Sequence, residues 1–210
     1  MQIKTIVSSN GMNQNSYIVY SNNNIVLIDA GCDQSVLKIT LKELDLSNRR
    51  IDGVILTHTH FDHIYGLFDI YNEFNCPIYV HAGCSDFLFD KIKNASCYFA
   101  DFALPEVIKN NLIELTNNQI LTIGDLTFKI YFTPGHSKCS ICILIDNIIF
   151  TGDTILLGSV GRTDLFGGSI EELQNSLKLI QTLNYVTAYP GHGRELSKPL
   201  TDAIIKFNTQ

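Results

Sequence analysis

Histidines and an aspartate are concentrated in one six-residue segment, His58-Thr59-His60-Phe61-Asp62-His63. His58 and His60 are two residues apart, so on an extended backbone their imidazoles point to the same side. Asp62 and His63 lie where a following helix is expected to begin, so they project in other directions. A compact segment of this kind offers what a pair of metal ions needs, because their nitrogen and oxygen ligands must converge at ~2.0–2.2 Å.

Three more side chains of the metal-ligating kind each follow a predicted apolar strand and lie next to glycine. With the glycine that precedes each, they are Gly135-His136, Gly152-Asp153 and Gly191-His192. Glycine allows a neighbouring backbone to approach a site closely. Five of the six histidines are therefore expected in one site. The sixth, His81, ends another predicted strand and is expected to have a structural or supporting role.

These side chains need strands to position them, and short apolar runs separated by Gly, Asn and Asp predict such strands. The runs are residues 3–7, 16–20, 25–28, 53–57, 78–81, 120–123, 126–132, 140–145, 148–151 and 185–189. Helical apolar spacing predicts helices over residues 33 to about 46, after His63, over 169 to about 183 and over 197 to 208. This order indicates one domain over residues 1–210, built of two similar halves whose sheets pack together with helices outside.

Residues 82–110 are rich in aromatic side chains and show no clear strand pattern. Their apolar spacing fits either a contribution to the core or a lid over the site. Both interpretations stay open on the sequence alone.

Composition excludes several classes of protein. The 210 residues are 45% hydrophobic and carry a net charge of −6, so the chain is not disordered. No apolar run approaches the ~18 residues of a membrane span, and the acidic balance disfavours nucleic acid as the partner. The start of the chain lacks the features of a signal peptide, so we expect a cytoplasmic protein. Its six cysteines are expected to be reduced, and Cys139 and Cys142 to face opposite sides of a strand.

The segment His58 to His63, followed in order by His136, Asp153 and His192, resembles the metallo-β-lactamase-fold hydrolases. The resemblance extends over nearly the whole chain. Four motifs are similar to the short, single-domain glyoxalase II (hydroxyacylglutathione hydrolase)-like branch of that superfamily: Ile28-Asp29-Ala30-Gly31, Thr151-Gly152-Asp153-Thr154, Gly161-Arg162-Thr163-Asp164-Leu165 with Gly167-Gly168, and Pro190-Gly191-His192-Gly193. Phe166 departs from the branch, which usually has proline there.

The resemblance implies a mixed α/β fold, the four-layer αβ/βα sandwich in which two β-sheets are flanked by helices. It also implies two metal ions in a cleft at one edge of the sheets. One ion would be held by His58, His60 and His136, the other by Asp62, His63 and His192, and Asp153 would bridge them. Asp29 resembles the acid that supports a ligand from behind. A nitrogen and oxygen ligand set without thiolate suits zinc, with iron or manganese as alternatives.

Two such ions would lower the pKa of a shared water to roughly 7, and the resulting hydroxide would attack a carbonyl. Asp62 is the candidate catalytic residue that orients this nucleophile. A thiolester is a suitable small-molecule substrate because its thiolate, with a pKa of ~8.5, leaves without much protonation. The resemblance implies S-2-hydroxyacylglutathione substrates such as S-lactoylglutathione. The C-terminal helical domain of full-length glyoxalase II is not expected here, so Lys138, Arg162 and Arg194 are the candidate contacts for an anionic thiol.

Four other functions compete with this hypothesis. A persulfide dioxygenase would hold one Fe(II) with His58, His136 and Asp153. A phosphodiesterase or nuclease on the same scaffold is disfavoured by the acidic charge, and a true β-lactamase by the missing export signal. A non-catalytic binding protein would be expected to have lost ligands, whereas all seven are present.

Overall fold

Two six-stranded β-sheets make up the centre of the computed structural model, which describes residues 1–8 and 11–208. The first sheet contains, in spatial order, β1 (Gln2–Val7), β2 (Asn15–Tyr20), β3 (Ile25–Ile28), β4 (Gly53–Ile55), β5 (Ile78–His81) and β6 (Leu112–Leu115). The strands β1 to β3 run antiparallel, whereas β3 to β6 run parallel. Parallel neighbours need a crossover connection, and helical segments provide it here.

The crossovers of the first sheet contain three α-helices and three short 3₁₀ turns. The helices are α1 (Gln34–Glu43), α2 (Phe61–Ile64) and α3 (Leu67–Phe74). The 3₁₀ turns are Ser85–Phe89, Ser96–Tyr98 and Glu106–Asn111. The connection from β4 to α2 contains His58 and His60, so the crossover itself carries the histidine segment.

The second sheet forms in the other half of the chain. Its strands are β7 (Ile120–Ile123), β8 (Leu126–Phe132), β9 (Ile141–Ile145), β10 (Ile148–Gly152), β13 (Thr187–Pro190) and β14 (Leu196–Ser197), with β13 and β14 beside β10 at one side. A small hairpin of β11 (Ile155–Leu156) and β12 (Ser159–Val160) follows β10. Two helices complete this half, α4 (Ile170–Thr182) and α5 (Lys198–Asn208).

The two sheets pack face to face, with helices on both outer faces. Strand residues alternate between the faces of a sheet, so neighbouring side chains enter different layers. In the first sheet, Leu27 packs toward the helices α1 to α3, whereas Val26 and Ile28 pack against the second sheet. Phe128 and Phe150 face them from the second sheet, whose other face packs on α4 and α5. The predicted four-layer sandwich is confirmed.

The ends of the elements agree with the sequence prediction to within a few residues, but the helix expected after His63 was misplaced. It begins earlier, at Phe61, and it is interrupted at Gly66 before α3 begins. The reason for the interruption is a close approach of two backbones. The amide of Gly66 donates to the carbonyl oxygen of Ala30 at 2.8 Å, and a Cβ at this position would overlap the carbonyl oxygen of Cys32.

Three further features of the sheets were not predicted: β6, the hairpin of β11 and β12, and the two-residue strand β14. The strand β6 lies at the edge of the first sheet, where exposed positions weaken the apolar pattern that reveals a strand. The hairpin of β11 and β12 is too short to give a periodic signal. None of the helices in the described part of the chain has the length and apolar content needed to span a membrane.

Candidate metal centre

The seven side chains predicted as ligands come from both halves of the chain and meet at one edge of the two sheets. The connection after β4 places His58 and His60, and the first turn of α2 places Asp62 and His63. In the second half, the loop after β8 places His136, the residue after β10 is Asp153, and His192 follows Pro190, the last residue of β13, by two positions. Strand ends therefore position the second half of the cluster.

Three histidines form the first group of potential ligands. One nitrogen from each of His58, His60 and His136 lies within 4.8 Å of the others. His136 Nε2 is 2.9 Å from Nδ1 of His60, and the other ring nitrogen of His136 lies 2.8 Å from the carbonyl oxygen of Arg162. Since that carbonyl can only accept, it fixes the proton of His136 on Nδ1 and leaves Nε2 free to bind a cation.

Asp62, His63 and His192 form the second group, whose ligand atoms also lie within 4.8 Å of one another. His192 Nε2 is 3.2 Å from Oδ2 of Asp62, and His63 Nε2 is 3.8 Å from the same oxygen. Both imidazoles therefore present Nε2 to the carboxylate of Asp62.

Asp153 lies between the two groups and contacts members of both. Its Oδ1 is 3.3 Å from Nε2 of His63, and its Oδ2 is 3.5 Å from Nε2 of His192. The same Oδ2 is 3.7 Å from Nε2 of His136 in the first group. A third triad that could hold a cation, His58, His63 and Asp153, also spans the two groups.

Buried polar atoms without partners show that a cation fits this cluster. Among the described residues, few side-chain nitrogen and oxygen atoms are buried without a hydrogen-bond partner, and four of them belong here: Nε2 of His58, His60 and His63, and Oδ1 of Asp153. Leaving such a group unsatisfied costs roughly 1–3 kcal/mol each. Three of the four atoms belong to the triad of His58, His63 and Asp153, which therefore calls for a shared partner, whereas His60 approaches His136 through Nδ1. A divalent cation is the partner that imidazole nitrogens and carboxylates share.

Residues behind the ligands hold them in orientation. Asp29, which is 1% exposed, accepts a hydrogen bond from Nδ1 of His63 at 2.8 Å. The same carboxylate accepts from the backbone amide and the hydroxyl of Thr57, at 2.7 and 2.8 Å. The Thr57 hydroxyl is in turn 3.1 Å from Nδ1 of His58. Asp29 thus has the supporting position that the family resemblance implied, and it is connected to both groups.

Burial keeps the first group neutral. The pKa values of His58 and His136 lie below the ordinary range chiefly because burial disfavours their charged forms. Burial and the neighbouring His136 together lower the pKa of His60 to about 3. Neutral imidazoles can bind a metal without first losing a proton.

The second group is charged instead. Burial opposes the charge on His63 and His192, but the carboxylates around them outweigh it and raise both pKa values. Conversely, burial by itself raises the pKa values of Asp62 and Asp153, whereas His63 and the other histidines bring both below the usual range. Both carboxylates are therefore ionised at neutral pH.

The sequence predicted that the glycines before His136, Asp153 and His192 leave room for the site, and the structure shows this for the last of them. A Cβ at Gly191 would overlap Oδ1 of Asp153 and would lie 2.6 Å from Cε1 of His63. Gly161, which was not singled out for this role, has a similar position against the ring of His136. Gly135 and Gly152 contact no ligand side chain in this way: Gly135 makes room for Leu173, and Gly152 makes room for Thr57, whose hydroxyl lies behind His58.

The sequence also singled out His81 and three candidate anion contacts, and none of these four residues belongs to a potential ligand group. His81 stacks on the ring of Phe132 at a centroid distance of 4.1 Å and belongs to none of the three potential ligand groups. Of the three candidate anion contacts, only Arg162 lines the cavity at the cluster. Arg194 lines a separate cavity with Tyr17 and Tyr189, and Lys138 is exposed outside both.

The walls of the cavity include residues that the sequence interpretation missed. The cavity has a volume of about 210 Å³, and its apolar lining consists of Met12, Phe61, Ala95, Phe99 and Leu165. Ala95 and Phe99 come from the segment 82–110, whereas Leu88, Leu104 and Ile108 of the same segment are buried in the core. The segment therefore contributes both to the core and to the site. The run of aromatic residues was the available signal, but it does not show which ring faces the ligands.

A four-layer αββα sandwich with a histidine and aspartate cluster at one sheet edge defines a class of metal-dependent hydrolases. Residues 9–192 match the family model described as the metallo-beta-lactamase superfamily, and the chain belongs to that superfamily. It is a metallo-hydrolase of this class, as its similarity to the "Probable metallo-hydrolase MJ0888" of Methanocaldococcus jannaschii supports. The two sequences are 35% identical over 191 residues, which cover 87% of this chain and 89% of that protein.

Solved structures agree with this placement. The crystal structure of the BLEG-1 B3 metallo-beta-lactamase superposes with a TM-score of 0.86 at 29% identity, and each chain is covered completely. The crystal structure of TTHA1623 in a di-iron-bound form gives a TM-score of 0.78 at 25% identity, over 99% of this chain and 100% of that one.

Proposed function

We propose that this metallo-hydrolase is a dinuclear thiolesterase that acts on S-2-hydroxyacylglutathione-type substrates, in the manner of glyoxalase II. The observation that supports two ions is the position of Asp153, whose Oδ1 lies 3.3 Å from His63 of the second group. Its Oδ2 lies between the two groups, 3.7 Å from His136 and 3.5 Å from His192. In this proposal His58, His60 and His136 would hold one ion, Asp62, His63 and His192 would hold the other, and Asp153 would serve both. The di-iron form of TTHA1623, a protein of the same fold, is consistent with two ions.

Divalent ions at such a site lower the pKa of a coordinated water to roughly 7 and polarise a carbonyl group. The chain's own residues then orient the reactants. Asp62 is ionised, lines the cavity and directs one oxygen toward His192 at 3.2 Å. It can therefore accept a proton from the nucleophilic water or align it by a hydrogen bond.

A thiolester suits a site with this composition. The thiolate that leaves has a pKa of ~8.5, so it departs without a strong proton donor. The histidines of the first group are neutral and face ligand positions, and His192 is engaged by Asp62. The cluster therefore supplies a nucleophile more readily than it supplies a general acid.

The test is thiol release from S-lactoylglutathione by protein loaded with zinc, iron or manganese, with metal content measured on the same samples. We expect two ions per chain, thiol release, and a loss of at least about 100-fold in kcat/KM with Asp153→Ala. Asp125→Ala is the matched control, because Asp125 lies on an exposed turn bonded to Ser21. No thiol release from loaded protein overturns the proposal, and so does full activity of Asp153→Ala.

Two outcomes would point to other activities. One iron per chain with oxygen uptake would indicate the persulfide dioxygenase with His58, His136 and Asp153. Hydrolysis of a cephalosporin faster than the thiolester would indicate a β-lactamase, the second candidate, which the likeness to the BLEG-1 B3 metallo-beta-lactamase favours. Oxygen uptake, cephalosporin hydrolysis and thiol release are measured on the same loaded protein, so the three rates can be compared directly.

A further inference from the structure

The cavity in front of the metal-ligand cluster is too small for a whole glutathione thiolester. Its volume is about 210 Å³, whereas cavities that bury a drug-sized ligand have roughly 300–1,000 Å³. The scissile carbonyl must reach the cluster, so the acyl end is the part that the cavity can enclose. A bulky thiol portion then extends outside.

Phe99 presents an exposed aromatic surface in the wall of this cavity. Its ring stacks on Phe61, with centroids 5.6 Å apart and planes inclined by 18°. Phe61 is buried, but Phe99 is still 51% exposed. A large apolar side chain left open in the wall of a binding cavity is typical of a ligand contact.

A network of hydrogen bonds fixes this wall relative to the ligands. The carbonyl oxygen of Asn94 accepts from the amide of Phe61 at 2.8 Å, which connects the segment 82–110 to the histidine segment. The side chain of Asn94, which is buried, donates to the carbonyl of Leu88 at 3.0 Å and accepts from the amide of Ser96 at 2.9 Å. The amide of Phe99 donates to the carbonyl oxygen of Ser96 at 3.1 Å, so the backbone of Phe99 is connected to this network. A preformed wall reduces the entropy cost of binding.

The cavity offers little to an anionic substituent. Among the described lining residues, Arg162 is the one lysine or arginine, and both of its contacting nitrogens are 2.6 Å from the carboxylate oxygens of Asp164. This bidentate pair occupies two of the guanidinium nitrogens with a carboxylate of the protein itself. The wall around Phe99 is otherwise apolar, formed by Met12, Phe61, Ala95 and Leu165, so an uncharged acyl substituent suits it.

We propose that Phe99, with Phe61 behind it, forms an acyl subsite that selects 2-hydroxyacyl groups with an aromatic substituent over those with a methyl group. This inference rests on the proposed function, because it assigns the acyl half of that substrate. An aryl ring on the acyl carbon would pack on the open face of Phe99, a contact that lactoyl cannot make. Aromatic pairs of this kind contribute beyond the area that they bury.

The binding test needs no turnover. Mandelate and lactate are 2-hydroxy acids that differ only in phenyl against methyl, and isothermal calorimetry with the zinc-loaded protein gives both affinities. We expect mandelate to bind about tenfold more tightly, and the ratio to approach one in Phe99→Ala. The matched control is Phe207→Ala, because Phe207 is an exposed phenylalanine on α5 remote from the cavity, and it should keep the ratio.

Kinetics form the second arm, with S-mandeloylglutathione and S-lactoylglutathione as substrates. The ratio of their kcat/KM values should be about tenfold in favour of mandeloyl and should collapse in Phe99→Ala. Equal binding of the two acids, or an unchanged ratio in Phe99→Ala, overturns the subsite even if thiolesters are hydrolysed. A mandelate preference without any thiolester cleavage leaves the subsite standing and removes the proposed function.

Discussion

His63 donates from Nδ1 to the carboxylate of Asp29 across 2.8 Å, and both side chains are buried. This single hydrogen bond determines which nitrogen of His63 faces the cluster. Its Nε2 consequently lies 3.3 Å from Asp153 and 3.8 Å from Asp62. Asp29 thus prepares a ligand without lining the cavity itself.

Replacement of Asp29 should weaken the binding of one ion more than the binding of the other. In Asp29→Asn the charge that orients His63 is lost, so affinity for the ion held by Asp62, His63 and His192 should fall roughly 10–100-fold. Chelator competition with metal analysis measures the two affinities separately. The matched control is Asp125→Asn, an exposed turn residue. Two ions bound as tightly as in the unchanged protein would contradict the role of Asp29.

Gly191→Ala should prevent metal binding without unfolding the protein. The added methyl group would overlap Asp153 and press on His63, so both would have to move. Gly158→Ala is the control, because Gly158 has a φ of +75° and open space around its Cβ position. That variant carries backbone strain of roughly 1 kcal/mol but leaves the ligands in place. Metal analysis measures the loss of metal binding, and circular dichroism shows whether each variant is folded. Stoichiometric metal in Gly191→Ala would refute the prediction.

Removal of the metal should lower the thermal stability. A ligand that binds only the folded state at 100 times its Kd adds about 2.7 kcal/mol. For a chain of this length that corresponds to a rise in Tm of roughly 5–10 °C, measured by calorimetry before and after chelation. Asp153→Ala should show a much smaller shift. An identical Tm with and without chelator would show that no ion is bound at the cluster.

The metal-free protein should lose stability as the pH falls from about 6.5 toward 3. Burial and His136 lower the pKa of His60 to about 3 in the folded state, whereas the unfolded chain binds the proton near pH 6.5. The unfolded state therefore holds more protons in this window, so the free energy of unfolding decreases with falling pH, by a few kcal/mol. Urea titrations from pH 7 to pH 4 give the free energy of unfolding at each pH. Its decrease with falling pH should be less steep in His60→Gln than in the unchanged protein. The same dependence on pH in both proteins would contradict the lowered pKa of His60.

Much of the site was predictable because its residues occur in a dense local pattern. The segment from His58 to His63 needs only the geometry of a strand end and a helix start to present its side chains. His136, Asp153 and His192 could be added because each follows an apolar run beside glycine. The ends of α2 and α3 were not predictable, since the interruption at Gly66 depends on the approach of Ala30 and Cys32 from a distant part of the chain.

The lining of the cavity was also beyond the sequence. Phe99 lies 38 residues after Phe61, and neither periodicity nor composition indicates that the two rings stack. The same holds for the ion pair that Arg162, in the cavity wall, forms with Asp164. Such contacts depend on how loops pack, and loops carry no regular repeat from which a contact could be inferred.

By itself, the sequence determined the kind of ligands and the order of strands and helices, because ligand chemistry and apolar periodicity are local properties. Only the tertiary structure decided which ligands share a point, which nitrogen of each histidine faces it, and that Asp153 lies between the two groups. Those relationships join residues as far apart as His58 and His192, and they arise when two sheets pack and bring their strand ends to one edge. The physical reason is that packing, which depends on the whole chain at once, sets the distances on which metal binding depends.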